Sequence, residues 1–166
     1  MKKIRKGCPA IRVVMFPKDI NGAGNIFGGV ILSHIDVAGA VAARKICSHR
    51  IVTVSAKEVE FKKPVHVGDI LTCWAEVTAV GTTSITTKVW VEADRDGKFV
   101  PVTEAEVVYV AVDKAGKSIP VASGLRDEKW RKKLGLSDGD KSAKKSGKAK
   151  SKSKGKTRRK CKSCGA

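Results

Sequence analysis

The sequence predicts an α+β fold in which a curved antiparallel sheet wraps around one central α-helix. Three observations lead there. Residues 28–47 are apolar almost all the way round a helix, yet Ser33, His34 and Asp36 interrupt them too often for a membrane span. Four β-rich segments with a two-residue alternation follow this helix. One short β-rich segment precedes it. A helix held by a concave sheet, or by a sheet and a partner subunit, can be apolar on most of its surface.

Each element has a local reason. Ala10 to Phe16 (AIRVVMF) is a short edge strand closed by Pro17. Lys18 to Asn25 is a loop that carries Asp19, Asn21 and several small residues. Gly28-Gly29 opens the helix, and a glycine pair at that position marks close approach to the main chain, by packing or by function. Ile51 to Val65 reads as one long strand ending at Pro64, before the Gly68-Asp69 turn. Ile70 to Val80 and Ser84 to Glu92 follow, separated by Gly81. Asp94-Arg-Asp-Gly97 is a hairpin turn, and Phe99 to Val112 is the last strand. Leu125 to Leu136 has the pattern of a short amphipathic turn or two.

Charge divides the chain. Its 34 lysines and arginines face 16 acidic residues, a formal +18. Twelve of those cations lie from Lys141 onward with no acid among them, and residues 126–140 add +1, which leaves +5 on residues 1–125. The expected organisation is a globular domain over residues 8–122, a short amphipathic extension over 123–136 and a disordered Lys/Ser/Gly-rich tail over 137–166. A run so basic, with no aromatic side chain, fits nonspecific contact with nucleic acid or another polyanion through residues 141–162, or a merely solubilising extension. Cys161 and Cys164 have zinc-ligand spacing but make only half a site, and no metal is expected in the globular part. Five scattered cysteines and no secretory signal point to a reducing cytoplasm.

Within the globular part the chemistry gathers at Asn21 to Arg44. Asp36 lies seven residues after Gly29, so it returns to within roughly 20° of that residue's direction, about two turns further along. Its neighbours Ile35, Val37 and Ala38 are apolar, and no basic residue lies one turn away. A carboxylate buried without a cation suits a general base or a poised nucleophile. The structural alternative is an aspartate satisfied by a backbone group across a subunit interface. His34 and His66 have no triad or metal partner at suitable spacing, and Cys47 reads as core.

The run RVVMFPKDINGAGNIFGG followed by LSHID resembles the signature of the hotdog-fold acyl-CoA thioesterases, in particular the bacterial broad-specificity acyl-CoA hydrolases. The similarity continues through IVTVSAKEVEFKKPVHVGD, VGTTSI and VTEAEVVYVAVD, covering roughly Ile11 to Pro120. The resemblance implies a cytoplasmic hydrolase that converts acyl-CoA to a carboxylic acid and coenzyme A without a cofactor. It makes Asn21 and Asp36 the catalytic pair, and it implies homodimers, further assembled into hexamers as trimers of dimers, with sites between subunits. Backbone N–H groups at Gly28 and Gly29, at the positive end of the helix, fit the thioester oxygen as it gains charge. For the coenzyme A part the candidates are Lys62, Lys63 and the turn Thr82-Thr83-Ser84. The competing reading from another class is a non-catalytic acyl-CoA-binding hotdog module tethered to a polyanion by the tail.

Overall fold

A computed structural model describes residues 8–57 and 59–136 of the chain. The basic run, Cys161 and Cys164 lie outside the described residues. Five strands form one antiparallel sheet: β1 (Ile11–Val14), β2 (Arg50–Lys57), β3 (Ile70–Val80), β4 (Ser84–Arg95) and β5 (Lys98–Val112). Their spatial order is β1-β3-β4-β5-β2, so β1 and β2 are the edges. The register shifts between Thr53 and Ser55 in β2, between Val77 and Ala79 in β3, and between Val91 and Glu92 in β4. Bulges of this kind bend a strand and strengthen its twist, and here they curl the sheet around the long helix α1 (Gly28–Ile46). This is the expected hotdog architecture.

The helix buries one stripe. Ile31, Ile35, Ala38, Gly39, Ala42, Ala43 and Ile46 face inward, at the three- and four-residue spacing of one helical face. They meet the inner residues of β3, β4 and β5, where Leu71, Cys73, Ile85, Val89, Val91, Ala105 and Val107 are all buried. Burying each of the larger aliphatic side chains stabilises the fold by about 2 kcal/mol. The other side of α1 is not covered: Leu32 is 39% and Val37 51% exposed. The helix therefore has the broad apolar surface its sequence predicts, and part of it stays open in a single chain.

One expected element is shorter than predicted. The strand read over Ile51 to Val65 stops at Lys57. Beyond it the chain meets the N-terminal part of β5, where Lys62 N–H donates to the Val102 carbonyl (2.8 Å). The alternation of charged and apolar residues continues to Phe61, but period-two patterning cannot show where the partner strand stops offering hydrogen bonds. After β5, a 3-10 turn (Val121–Gly124) packs His49 against Gly124, and Leu125 bridges to Cys47. Helix α2 (Glu128–Lys133) is capped by the Asp127 carboxylate, which accepts from the Trp130 N–H at 3.1 Å. No helix of the described residues is long and apolar enough to cross a membrane.

The segment 64–69 is fixed by one ion pair. Asp69 is 3% exposed and accepts from Arg95 Nε (2.9 Å) and Nη2 (2.7 Å), and from the His66 N–H (2.9 Å). Arg95 also donates to the Pro64 carbonyl at 3.2 Å. Burial alone would raise the Asp69 pKa, but the Arg95 and His66 hydrogen bonds outweigh it and hold the carboxyl below its ordinary value. A depressed folded value means the stabilisation is complete above the unfolded aspartate value, about pH 3.9, and is lost as pH falls through the folded one. The melting temperature of the wild type should therefore drop more steeply with acid below about pH 4 than that of Asp69→Asn. Parallel acid profiles for the two proteins would show that the pair carries no such linkage.

Candidate functional site

The loop before α1 is tied by its own main chain. Asn21 N–H donates to the Asn25 carbonyl (2.7 Å), Gly24 N–H donates to the Asn21 carbonyl (3.0 Å), and Ile20 bridges to Ile26. Gly24 has φ +79°, a conformation that favours glycine. The Asn21 side chain completes the loop: Oδ1 accepts from the N–H groups of Ala23 (2.9 Å) and Asn25 (3.2 Å). With Oδ1 held by two donors, the orientation of the amide is settled, and Nδ2 is the end it presents as a donor.

Asn21 lines an open cleft of about 340 Å³ together with Asn25, Gly28, Phe61, Lys62 and Lys63. Helix α1 begins here, and its N-cap residue, Phe27, supplies no side-chain cap. The first backbone N–H groups of a helix have no intrahelical acceptor, and they carry the positive end of the macrodipole. The glycine pair has a packing role as well. A Cβ on Gly29 would collide with the Phe27 ring, and one on Gly28 would touch the Phe61 ring at 3.5 Å. Asn21, Gly28, Lys62 and Lys63 are thus brought together.

Asp36 is elsewhere. It sits eight residues beyond Gly28 on α1, about 12 Å along the axis at 1.5 Å per residue, and it is not among the residues lining the cleft. The sequence predicted a buried carboxylate; in the single chain Asp36 is only half-buried. The reason is its place beside β2, the last strand of the sheet, where Val54 is 61% exposed and Val37 of α1 51%. Asp36 Oδ1 accepts a hydrogen bond from Thr53 Oγ1 at 2.6 Å. Its main-chain carbonyl accepts from Tyr109 Oη at 2.6 Å.

The candidate coenzyme A contacts separate in the same way. Lys62 and Lys63 stand at the cleft. Lys62 Nζ approaches Glu104 Oε1 (3.4 Å), whose other oxygen meets Lys88 Nζ (3.1 Å). The Lys88 hydrogen bond, aided by Lys62 and opposed by partial burial, keeps the Glu104 carboxyl below its usual range. Thr82, Thr83 and Ser84 form the β3–β4 turn at the opposite end of β5. There the Val121 N–H donates to the Thr82 carbonyl, the Ala111 N–H to Thr83 and the Gly81 N–H to Ser84, each at 2.8 Å. Val102, beside Lys62, and Ala111, beside Thr83, are nine residues apart on β5, a separation of about 30 Å at 3.3 Å per residue. One chain does not bring these two groups to one ligand.

Two residues at Asp36 were not singled out from the sequence, Thr53 and Tyr109. A threonine in a β-rich run is the ordinary strand residue, so Thr53 carried no signal. Tyr109 is the only tyrosine of the chain, and its single polar atom in an inward-facing strand was the available clue. Cys47 is core, as read: burial pushes its thiol up, and pushes that of Cys73 up to about 12, so neither is a ready nucleophile.

Residues 23–100 match the thioesterase superfamily. The acyl-CoA thioester hydrolase YciA of Salmonella typhimurium is 39% identical over 126 residues, 73% of this chain and 95% of its own. A hexameric hotdog-fold thioesterase of Campylobacter jejuni is 44% identical, with 78% of this chain and 98% of that one covered and a TM-score of 0.67. The hexameric thioesterase of Yersinia pestis is 39% identical, over 73% of this chain and 100% of that one, with a TM-score of 0.68. The chain therefore belongs to the thioesterase superfamily and, within it, to the hotdog-fold acyl-CoA thioester hydrolases.

The contact between α1 and the sheet at Gly39 generates a stability prediction. A Cβ there would collide with Tyr109 Oη and lie 2.7 Å from Thr87 Oγ1. Gly39→Ala should cost about 1–3 kcal/mol of unfolding free energy, as over-packed cores do, despite the better helix propensity of alanine. Urea denaturation measures it, and a variant as stable as wild type would mean the helix does not sit this close to the sheet.

Proposed function

We propose that this protein hydrolyses acyl-CoA thioesters to a free carboxylic acid and coenzyme A, with Asp36 as the base and no cofactor. The observation that carries the reading is the setting of Asp36. Thr53 holds Oδ1 at 2.6 Å, which leaves Oδ2 to accept from a water, on a helix whose uncapped N-terminus opens beside Asn21. Asp36 takes a proton from that water as its oxygen attacks the thioester carbon. The carbonyl oxygen gains charge against the N–H groups of Gly28 and Gly29, where the helix dipole favours it. Collapse of the tetrahedral adduct breaks the C–S bond, and the thiolate leaves as coenzyme A after taking a proton. Asn21, through Nδ2, is the donor that orients the carbonyl or the water. Lys62 and Lys63 give the cleft two cations suited to coenzyme A phosphates.

The roughly 12 Å between the helix start and Asp36 is why one chain does not make a whole site. We place the complete site between two protomers, with Asn21 and the helix start of one facing Asp36 of the other. The exposed Val37 of α1 and Val52 and Val54 of β2 are the apolar surface such a homodimer would cover. Assembly of dimers into a hexamer matches the state given for the Campylobacter and Yersinia relatives. Neither the relatives nor the described residues support the alternative of a non-catalytic binding module.

The test is thiol release across a series of acyl-CoA chain lengths. Wild type should turn over at least one of them, and Asp36→Asn should lower kcat by about 10²- to 10⁴-fold, the usual weight of a general base. Inactivity of wild type on every chain length, or an Asp36→Asn variant as fast as wild type, would remove this reading.

A further inference from the structure

Tyr109 is 1% exposed, yet its hydroxyl reaches into the helix that carries Asp36. It donates to the main-chain carbonyl of Asp36 at 2.6 Å. In the sheet Tyr109 lies directly opposite Thr53, across the β2–β5 ladder. One cross-strand pair therefore delivers two hydroxyls to one residue, Thr53 to the carboxylate and Tyr109 to the backbone. The register shift immediately after Thr53 leaves Val54 without a partner and bends β2 at this point. Gly39, one turn along α1, leaves the space through which the phenol approaches, for any Cβ there would strike Tyr109 Oη. Burial, reinforced by the Asp36 charge, pushes the phenol above its ordinary range, so it remains a donor wherever Asp36 acts as a base.

Resting on the hydrolase reading above, we propose that Tyr109 is a positioning residue for the reaction: it locks the rotation of α1 against the sheet so that the Asp36 carboxylate stays in register with Thr53. The magnitudes favour this over simple packing. A carboxylate some 5 Å from the helix axis moves about 0.9 Å when the helix rotates by 10°. Misplacement of a reacting group by about 1 Å can cost on the order of 10²-fold in rate. Removing one of the two ties permits part of that motion. The loss falls on the chemical step, because Tyr109 holds Asp36 and is not among the residues lining the cleft proposed for coenzyme A.

The experiment is a kinetic double-mutant cycle with Tyr109→Phe and Thr53→Val, each measured for kcat, KM and melting temperature on an acyl-CoA that wild type hydrolyses. Tyr109→Phe keeps the ring and removes only the hydroxyl. It should lower kcat about tenfold and leave KM within about twofold, at temperatures where the variant is fully folded. In the Thr53→Val background the same change should cost much less than tenfold, because both ties act through Asp36. A purely structural tyrosine would lower the melting temperature with kcat intact, and that result overturns the proposal. So does a multiplicative cycle, which would make the two hydroxyls independent. Asp36→Asn in the same assays separates the failures. If it abolishes turnover while Tyr109→Phe does not affect it, only the positioning role falls. If it leaves turnover intact, the hydrolase reading of the site falls first.

Discussion

Gly39 has no side chain, and the sheet occupies the space that one would fill. Tyr109 and Thr87 press into α1 at that point, so the helix lies against β4 and β5 more closely than a larger residue would allow. Much of the molecule follows from this contact. The helix must present small residues where it touches the sheet, and Ala38, Ala42 and Ala43 on the same face are all buried. The strands must curl to meet a cylinder at close range, and the register shifts in β2, β3 and β4 supply the bend. A core of this kind transmits displacement, because close-packed interiors have little slack.

The consequence for the proposed chemistry is that both of its ends are borne by one rigid element. The start of α1 supplies unpaired N–H groups beside Asn21, and its middle supplies Asp36. In the proposed reaction, their fixed separation along the axis keeps them from acting on one thioester in a single chain. In the proposed dimer the same separation sets where a partner's helix must lie for the two half-sites to face each other. The exposed apolar side chains at the β2 edge then have a use, since an edge strand and a half-bare helix are surfaces that chains cover by pairing.

Much of this was legible in the residues. The apolar periodicity of 28–47 fixed the long helix to within a residue, and Gly68, Gly81 and Gly97 marked the ends of strands that the structure places beside them. Asn21 and Asp36 stood out as polar residues in a loop and helix built from small and apolar ones. The differences between expectation and the single chain have physical causes. Strand β2 ended early because the alternation runs on to Phe61 although the ladder with β5 stops at Lys57. The Thr82–Ser84 turn and the Lys62–Lys63 pair were grouped as phosphate donors by residue type alone, and only the sheet shows that they sit at opposite ends of β5. The half-buried state of Asp36 was not readable, since whether a helix lies beside a central or an edge strand is a property of topology. Thr53 and Tyr109 became visible only through the ladder that pairs them.

The central claim is that a site is made from Asn21 of one chain and Asp36 of another. Co-expression of Asn21→Ala and Asp36→Asn chains with different affinity tags, followed by purification of the doubly tagged assembly, tests it most directly. If the site is shared, each mixed dimer has one doubly altered site and one intact site, so a hexamer of randomly paired chains should recover about a quarter of wild-type activity, far above either variant alone. If both residues of a site come from the same chain, every site in the mixed dimer is damaged. Activity no higher than that of the separate variants would then contradict the shared site.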